Sequence, residues 1–265
     1  MQADIDWGIV MNLANVIEGH SDDGRALIDG EIVVTFGELR DRVSALRSQL
    51  ASMGIGRGDS VALAAGNEVH FATGALAVLG LGAIVMPVNP QSPPPELRLR
   101  IDMVQPRLLL VGDDGQGLLG IDDELGVEAL DMTTLAAVAV TGPDPGIVDV
   151  EPDDRAFYMA TSGVSGAPKV AILSHYNLRW VQEAMGQGLD PMQPDDITLG
   201  CLSFAHIFGL NVVLLYGLRV GSCIVLQRRF DADESLRLIR EHGVTVLAGA
   251  PPMWQRWAKA DAPDD

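Results

Sequence analysis

The sequence predicts an α/β protein with parallel-rich sheets and crossover helices. Strand-like and helix-like apolar patterns alternate along most of the chain, which is typical of a parallel sheet with helical connections. Apolar residues make up 48% of the 265 residues and charged residues 20%, so the chain can bury a core and is not expected to be disordered. The uncharged stretch over residues 71–95 is broken by glycines and prolines, which indicates a buried helix followed by a buried strand.

The first third of the chain predicts a hairpin and then alternating helices and strands. Residues 26–29 and 32–35 form the hairpin strands on either side of Gly30. Thr35 and Glu38 have the spacing of a capping box, and the helix that they begin is predicted to end at Gly54. The elements that follow are a strand at 59–64, a helix at 68–81, a strand at 83–88, a helix at 94–103 and a strand at 107–111.

The uncharged stretch could also be interpreted as a membrane span, which needs about 20 consecutive apolar residues. Gly80 and Gly82 interrupt its helical pattern, and the prolines at 90 and 93–95 end any helix. We therefore expect a core helix and a core strand here, with no integral membrane segment.

The rest of the chain continues the alternation after a connection rich in Pro, Gly and Asp at residues 142–152. Strands are predicted at 156–160, 170–173, 197–202, 222–226 and 244–247, and helices at 177–187, 210–218 and 232–242. The connection divides the chain into a first α/β subdomain, residues 1–150, and a second, incomplete subdomain, residues 151–265.

The charge of the chain excludes some classes of partner. A formal net charge of −18 disfavours binding to nucleic acid or to an anionic membrane surface, and a polyphosphate would have to be held by local donors. The cysteines, Cys201 and Cys223, lack the spacing of metal ligands, so no metal site is predicted and both are expected to be buried free thiols in a reducing cytoplasm.

The most informative stretch is Thr-Ser-Gly-Val-Ser-Gly-Ala-Pro-Lys at residues 161–169. Its glycines and hydroxyl side chains allow the backbone to approach an anion closely, and Lys169 is one of two lysines in the chain. A Walker A loop would lead from Lys-Ser/Thr into a helix, whereas here Pro168 precedes the lysine and a β-branched strand pattern follows it. The sequence predicts a phosphate-binding loop between two strands.

A second glycine motif, Gly-x-Gly-x-x-Gly at residues 115–120, matches the dinucleotide-binding fingerprint. Asp113 and Asp114 precede it directly and would repel a pyrophosphate. We interpret this motif as a flexible surface loop whose glycines are structural.

Together these motifs resemble the adenylate-forming enzymes, which include acyl-CoA synthetases, luciferases and peptide-synthetase adenylation domains. The loop at 161–169 is similar to the family signature T-S-G-[ST]-T-G-x-P-K-G. Four further stretches match in order: 34–63, 80–90, 174–178 and 204–209, and residues 250–252 fit the later strand-to-helix turn. The 204–209 stretch has the form that acyl-CoA synthetases favour.

The resemblance implies ATP-dependent activation of a carboxylate to an acyl-adenylate, followed by thioester formation with CoA. The substrate would be a small carboxylic acid, a fatty acid or another acid, and the implied cofactors are ATP, Mg²⁺ and CoA. The implied phosphate-binding residues are Thr161, Ser162, Gly163, Val164, Ser165, Gly166, Pro168 and Lys169. The implied acid-pocket residues are His206, Phe208 and Gly209, with His206 shaping the pocket rather than acting as a base.

The chain also departs from the family pattern. Val164 stands where a Ser or Thr is usual and Val170 where a Gly is common, so one hydroxyl donor to phosphate is missing. The family's Tyr-Gly-x-Thr-Glu segment, ribose-binding Asp and C-terminal catalytic Lys have no counterpart here. The resemblance therefore covers the N-terminal part of the family fold and assigns no catalytic residue. It implies little turnover by this chain alone, and self-association or contact with a missing C-terminal half.

Two other functional classes stay open. One is a non-catalytic or split interaction module derived from an adenylating enzyme. The other is an unrelated α/β nucleotide-binding protein, which would show a Walker-type turn from the loop into a helix. Among the remaining residues, we expect His175 to be structural, and His20, His70 and His242 to serve surface or packing roles.

Overall fold

A computed structural model describes residues 12–135, 143–161 and 169–260 and contains two sheets. The strands are β1 Arg25–Asp29, β2 Ile32–Thr35, β3 Ser60–Ala64, β4 Ile84–Val88, β5 Leu108–Val111, β6 Ala129–Asp131, β7 Arg155–Thr161, β8 Lys169–Ser174, β9 Ile197–Gly200, β10 Cys223–Leu226 and β11 Val246–Leu247.

Helices connect most of these strands. The α-helices are α1 Phe36–Ser52, α2 Val69–Gly80, α3 Pro94–Val104, α4 Asp122–Leu125, α5 Met132–Leu135, α6 His175–Gly186, α7 Tyr216–Val220, α8 Ala232–His242 and α9 Pro251–Trp257. Short 3₁₀ helices lie at Leu13–Ile17 and Asp113–Leu118, and a π-helix at Phe208–Leu215 runs directly into α7.

Both sheets are mainly parallel, as predicted. The first sheet has the strand order β11-β9-β10-β1-β2, and the second has the order β6-β5-β3-β4-β7-β8. Antiparallel pairing is found between β1 and β2 and between β7 and β8, at one edge of each sheet. The α/β prediction is therefore confirmed.

The chain passes from the first sheet to the second and back again. Strands β1 and β2 belong to the first sheet, β3 to β8 build the second, and β9 to β11 complete the first. Leu27 of β1 lies opposite Ile224 of β10, a pairing across most of the chain. The two sheets are thus interleaved along the sequence. The division into subdomains at residue 150 stays a prediction.

Helix α1 shows how local signals set an element. The Thr35 hydroxyl accepts a hydrogen bond from the Glu38 amide at 3.2 Å, and the Glu38 carboxylate accepts one from the Thr35 amide at 3.0 Å. The helix then buries an apolar face, and the chain turns at Gly54 with a φ of +81°, a conformation that glycine adopts without strain. The predicted capping box and stop are both confirmed.

The uncharged stretch forms helix α2 and strand β4. Every residue of the helix except His70 is buried, and so is all of β4. In the part of the chain that the structure describes, no helix is both long and apolar enough to cross a membrane. The stretch is apolar because it fills the centre of an α/β core.

The Gly-x-Gly-x-x-Gly motif differs from its prediction as a flexible loop. It begins in the 3₁₀ helix Asp113–Leu118, directly after β5. A side chain at Gly115 would place its Cβ 2.6 Å from the Ala64 carbonyl oxygen, so this glycine allows two strand ends to approach. The structural role expected for the glycines is confirmed at this position.

His175 is fully buried at the start of α6 and holds the 3₁₀ helix Leu13–Ile17 in place. Its Nδ1 accepts a hydrogen bond from the Leu13 amide at 3.1 Å, which requires a neutral ring. Burial lowers the pKa of His175 from 6.5 to about 4, although the charge of Asp154 acts in the opposite direction. The structural role predicted for His175 is confirmed.

We expect this buried histidine to make stability depend on pH. Between about 6.5 and about 4 the unfolded chain binds a proton at this residue that the folded chain does not, so stability falls as the pH falls. His175→Asn keeps an acceptor for Leu13 and removes the titration. Wild type should lose about 2 kcal/mol more than this variant between pH 7 and pH 5. Urea unfolding at several pH values measures this difference, and parallel curves would contradict the assignment.

Candidate active site

The predicted phosphate loop is held at its two ends by an antiparallel strand pair. Thr161, the last residue of β7, lies opposite Lys169, the first residue of β8, and Lys169 is exposed. The loop therefore leads into a strand and lacks Walker geometry, as predicted. Residues 162–168 lie outside the described part of the chain, so the roles assigned to Ser162, Gly163, Val164, Ser165, Gly166 and Pro168 stay predictions.

Strand β8 continues directly into helix α6. Ser174 and Asn177 form a second capping box, in which the Ser174 hydroxyl accepts from the Asn177 amide at 3.2 Å and the Asn177 side chain accepts from the Ser174 amide at 3.1 Å. The box fixes where the strand ends and the helix begins. The exit of the phosphate loop is thus attached to a helix with a defined start.

The second predicted group of site residues lies in the His206 turn, defined here as residues 202–209. The His206 amide donates to the Ser203 carbonyl at 3.0 Å, and the His206 carbonyl accepts from Leu210 at 2.9 Å. The side chains of His206 and Phe208 are exposed, the latter at 48%. The structure brings His206, Phe208 and Gly209 together at the start of a helix, and their role as acid-pocket residues stays a prediction.

Gly209 is buried where the helix backbone meets the preceding loop. A Cβ at this position would lie 2.4 Å from the Ser203 carbonyl oxygen and 2.7 Å from that of Leu202. Carbon and oxygen cannot approach so closely without displacement of the backbone. The tight fold of the His206 turn therefore requires glycine here.

Buried amides join the His206 turn to the phosphate-loop side of the molecule. Asn211 lies in the π-helix Phe208–Leu215 and is 2% exposed. Its Oδ1 accepts from Gln182 of α6 at 2.8 Å, and its Nδ2 donates to the Leu178 carbonyl at 3.2 Å. The helix that leaves the His206 turn is thus bound to the helix that follows Lys169 and β8. A π-helix in this position is consistent with function, since such segments are frequent at functional sites.

Asn67 joins the two sheets at the base of the His206 turn. It follows β3 of the second sheet and is 3% exposed. Its Nδ2 lies 2.9 Å from the carbonyls of Gly200 and Leu202 and 3.2 Å from that of Gln227, and its Oδ1 accepts from the Phe204 amide at 2.9 Å. Because β9 and β10 end at these carbonyls, one side chain sets the position of the chain that enters the turn.

A cleft of about 460 Å³ opens beside the turn, a size that suits a small-molecule ligand. It is bounded by Leu202 and Ser203 from the turn, the loops after β3 and β4, and the segment after β10. Its lining includes Gly66, Asn67, Gln91, Leu202, Ser203, Arg228, Arg229 and Phe230.

Arg228 on the wall of this cleft is surrounded by carboxylates. Its guanidinium lies 3.2 Å from Asp29, 3.2 Å from Glu68, 3.0 Å from Asp113 and 3.5 Å from Asp114. Burial and the negative charge of Asp113 raise the pKa of Glu68 to about 7, while the charge of Arg228 acts in the opposite direction. The guanidinium of Arg228 thus holds four carboxylates together on this side of the cleft.

The last matched segment, residues 250–252, begins helix α9 after β11, with prolines in its first turn. Both cysteines are buried free thiols, as predicted, and burial raises the pKa of Cys201 to about 12. The Cys201 thiol is therefore protonated and unreactive at neutral pH. It contributes to packing at the wall of the cleft rather than to chemistry.

The sequence analysis did not identify Asn67, Glu68 and Arg228 as residues of the site. It also did not identify Asp113 as the neighbour of His70. The available signal was the pair Asn67–Glu68 shortly after the buried strand β3, because polar residues at the carboxyl ends of parallel strands commonly face ligands. His70 Nδ1 lies 3.6 Å from Asp113 Oδ1, so the surface or packing role predicted for it omits a neighbouring carboxylate.

Comparison with known proteins identifies the class to which this fold and site belong. The family model described as AMP-binding enzyme matches residues 13–265. The chain therefore belongs to the AMP-binding enzyme family. The predicted resemblance is confirmed.

Individual relatives agree with this assignment. The chain is 30% identical over 255 residues to 4-coumarate--CoA ligase 5 of Oryza sativa subsp. japonica, covering 91% of this chain and 47% of the relative. The solved o-succinylbenzoate coenzyme A synthetase (MenE) of Bacillus subtilis, in complex with AMP, superposes with a TM-score of 0.85 at 24% identity, covering 96% of this chain and 65% of that one. Apo MatB from Rhodopseudomonas palustris gives 0.82 at 24%, covering 94% and 51%. The chain thus spans about half the length of the curated relatives that it matches.

Removal of the Asn67 side chain is expected to destabilise the fold. Asn67→Ala leaves buried carbonyls and the Phe204 amide without their partner, which should cost about 3 kcal/mol. Asn89→Ala is the control, since Asn89 is exposed and its side chain accepts a local bond from the Gln91 amide at 2.9 Å; it should change stability by about 0.5 kcal/mol or less. Equal urea midpoints for the two variants would contradict the role of Asn67.

Gly209→Ala should also destabilise the chain, by about 2 kcal/mol, because overpacking against backbone exceeds the roughly 1 kcal/mol that alanine gains over glycine in a helix. Gly117→Ala is the matched control, since nothing lies within 4 Å of its Cβ position. Thermal unfolding of both variants measures the difference. If Gly209→Ala were as stable as Gly117→Ala, the close approach at the His206 turn would be wrong.

Proposed function

We propose that this chain supplies the phosphate-binding and acid-binding parts of a carboxylate–CoA ligase. In that reaction a carboxylate oxygen bonds to the α-phosphorus of ATP as pyrophosphate leaves, and the CoA thiol then attacks the acyl carbon and releases AMP. The observation that carries the proposal is the bond between Gln182 and Asn211, which couples the helix after the phosphate loop to the helix after the His206 turn. Membership of the AMP-binding enzyme family supports it.

In this proposal the loop at 161–169 holds the β- and γ-phosphates. Lys169 is exposed beside the loop, which fits a polyanion that the net charge of the chain would otherwise repel. Hydroxyls of Thr161, Ser162 and Ser165 and backbone amides at the glycines would complete the cradle. Magnesium, held mainly by phosphate oxygens, would neutralise further charge when bound. The contribution of the protein is position and electrostatics rather than covalent chemistry.

The His206 turn would position the acid. Gly209 and Asn67 fix its backbone, and the exposed side chains of His206 and Phe208 then form one wall of the path by which the carboxylate reaches the α-phosphate. A rigid backbone with exposed side chains suits this task, because small errors in the approach of two reactants cost large factors in rate.

For the substrate we propose a ring-bearing carboxylic acid rather than a fatty acid. The names of matched relatives include 4-coumarate--CoA ligases and an o-succinylbenzoate CoA synthetase. A cytoplasmic location and self-association stay predictions, the first of them based on the buried thiols.

Pyrophosphate exchange tests the proposed reaction. It is measured on this chain and, where the gene encodes a longer product, on that product, with 4-coumarate, o-succinylbenzoate and a straight-chain fatty acid. Exchange that depends on a ring-bearing acid is the expected result. ATP binding without exchange in either protein would instead indicate a non-catalytic module, and exchange with the fatty acid alone would overturn the substrate proposal.

The two lysines of the chain offer a matched test of the loop. Lys169→Ala should lower the rate of acid-dependent exchange by ~10²–10³-fold, the scale for loss of one preorganised charge-stabilising donor. Lys169→Arg should restore it in part, because a planar fork replaces a compact charge. Lys259→Ala removes the same charge from an exposed position after α9 and should leave the rate unchanged. Equal rates for the two alanine variants would show that Lys169 does not contact phosphate.

A further inference from the structure

We propose that Glu68, His70 and Asp113 bind one divalent transition-metal ion, with Zn²⁺ preferred. Each residue offers one ligand atom, and these atoms lie within 4.8 Å of one another. The site shares no residue with the phosphate loop or the His206 turn. It is therefore independent of the proposed ligase function.

The distances suit a small ion. His70 Nδ1 and Asp113 Oδ1 are 3.6 Å apart, which is too far for a hydrogen bond. Two ligands of a tetrahedral zinc ion at about 2.1 Å from the metal lie about 3.4 Å from each other. The observed pair thus has the separation of two ligands on one metal ion. The Glu68 carboxylate needs only a small side-chain movement to reach the same ion.

Arg228 contacts one oxygen of the Glu68 carboxylate and one oxygen of the Asp113 carboxylate, and leaves the other oxygen of each. It contacts Glu68 through Oε2 and Asp113 through Oδ2. The second oxygen of Asp113, Oδ1, faces His70, and the second oxygen of Glu68, Oε1, is not bonded to the guanidinium. Arg228 thereby orients both carboxylates in the way that outer hydrogen-bonding partners orient metal ligands.

Two of the donors are buried without a hydrogen-bond partner among the described residues. These are Oε1 of Glu68, whose side chain is fully buried, and Nδ1 of His70. Oε1 lies against Gly112, where a Cβ would come within 2.0 Å of it, so the adjacent glycine leaves room for this oxygen next to Asp113. A buried carboxylate oxygen with no donor is costly, and a metal ion would relieve that cost.

The surrounding charge favours a second cation. Four carboxylates, those of Asp29, Glu68, Asp113 and Asp114, surround the single guanidinium of Arg228. The cluster therefore retains excess negative charge after Arg228 is counted, in a partly desolvated place where charge interactions are strong. A divalent ion bound by Glu68, His70 and Asp113 would neutralise most of it.

The donor set decides which ion is expected. One imidazole nitrogen with two carboxylate oxygens suits zinc and its neighbours, whereas Mg²⁺ and Ca²⁺ prefer all-oxygen sites. Affinity at such a site should follow the order Zn²⁺ over Mn²⁺ over Mg²⁺. In the fold the ion would connect the start of α2 to the segment after β5.

Titration calorimetry of the chelator-treated chain with zinc chloride tests the site. We expect one ion per chain, and a rise in Tm with zinc, because the ion binds the folded state. His70→Gln removes a ligand without changing the number of carboxylates and should weaken binding by about 10- to 100-fold, as should Asp113→Asn. Asp114→Asn is the matched control: it removes one charge from the same network but no ligand, and should weaken binding by about threefold or less.

The zinc-dependent rise in Tm of Glu68→Gln provides a second test, which does not require the His70 and Asp113 variants to fold. This substitution keeps the shape of the side chain, and it should abolish the zinc-dependent rise in Tm even if the variant is as stable as wild type. Zinc binding by His70→Gln as tight as that of wild type would overturn the proposal. So would the absence of saturable binding up to millimolar zinc, which would show that Arg228 alone satisfies these carboxylates.

Discussion

The architecture depends on one buried amide, the side chain of Asn67. Two interleaved sheets must meet where their strands end, and the backbone groups at such ends lack ladder partners. Asn67 follows β3 of the second sheet, donates to the carbonyls of Gly200 and Gln227 at the ends of β9 and β10, and accepts from the Phe204 amide. An unpaired buried polar group lowers the stability of the fold by more than a paired one raises it. The relative position of the two sheets at this contact is therefore strongly determined. Two of the Asn67 partners, Leu202 and Phe204, lie in the His206 turn itself.

A second constraint relates this turn to helix α6, which follows the predicted phosphate loop and β8. The Asn211–Gln182 bond joins the π-helix that begins in the His206 turn to helix α6, which follows β8. Amides buried among apolar side chains hold one relative position, since any slip would leave both unpaired. Gly209 adds a steric limit from the other side. Helix α6 and the π-helix Phe208–Leu215 therefore hold one position relative to each other.

Individual positive side chains are placed at particular sites of this acidic chain. The net charge of −18 repels anions, yet Lys169 is exposed at the loop, and Arg228 is placed among carboxylates at the cleft. Arg228 contacts one oxygen each of Glu68 and Asp113, and a carboxylate oxygen of each residue lies within 4.8 Å of a His70 ring nitrogen. Membership of the AMP-binding enzyme family explains the fold.

The sequence by itself determined the features that depend on neighbours along the chain. The capping box at Thr35, the strand–loop–strand pattern around residues 161–169 and the buried helix and strand of the uncharged stretch follow from local geometry and composition. Only the tertiary structure decided the pairing of β1 with β10, the contacts of Asn67 and the approach of Glu68 and His70 to Asp113. These join residues far apart in sequence, and such closures are decided by the packing of whole sheets, which no local pattern encodes.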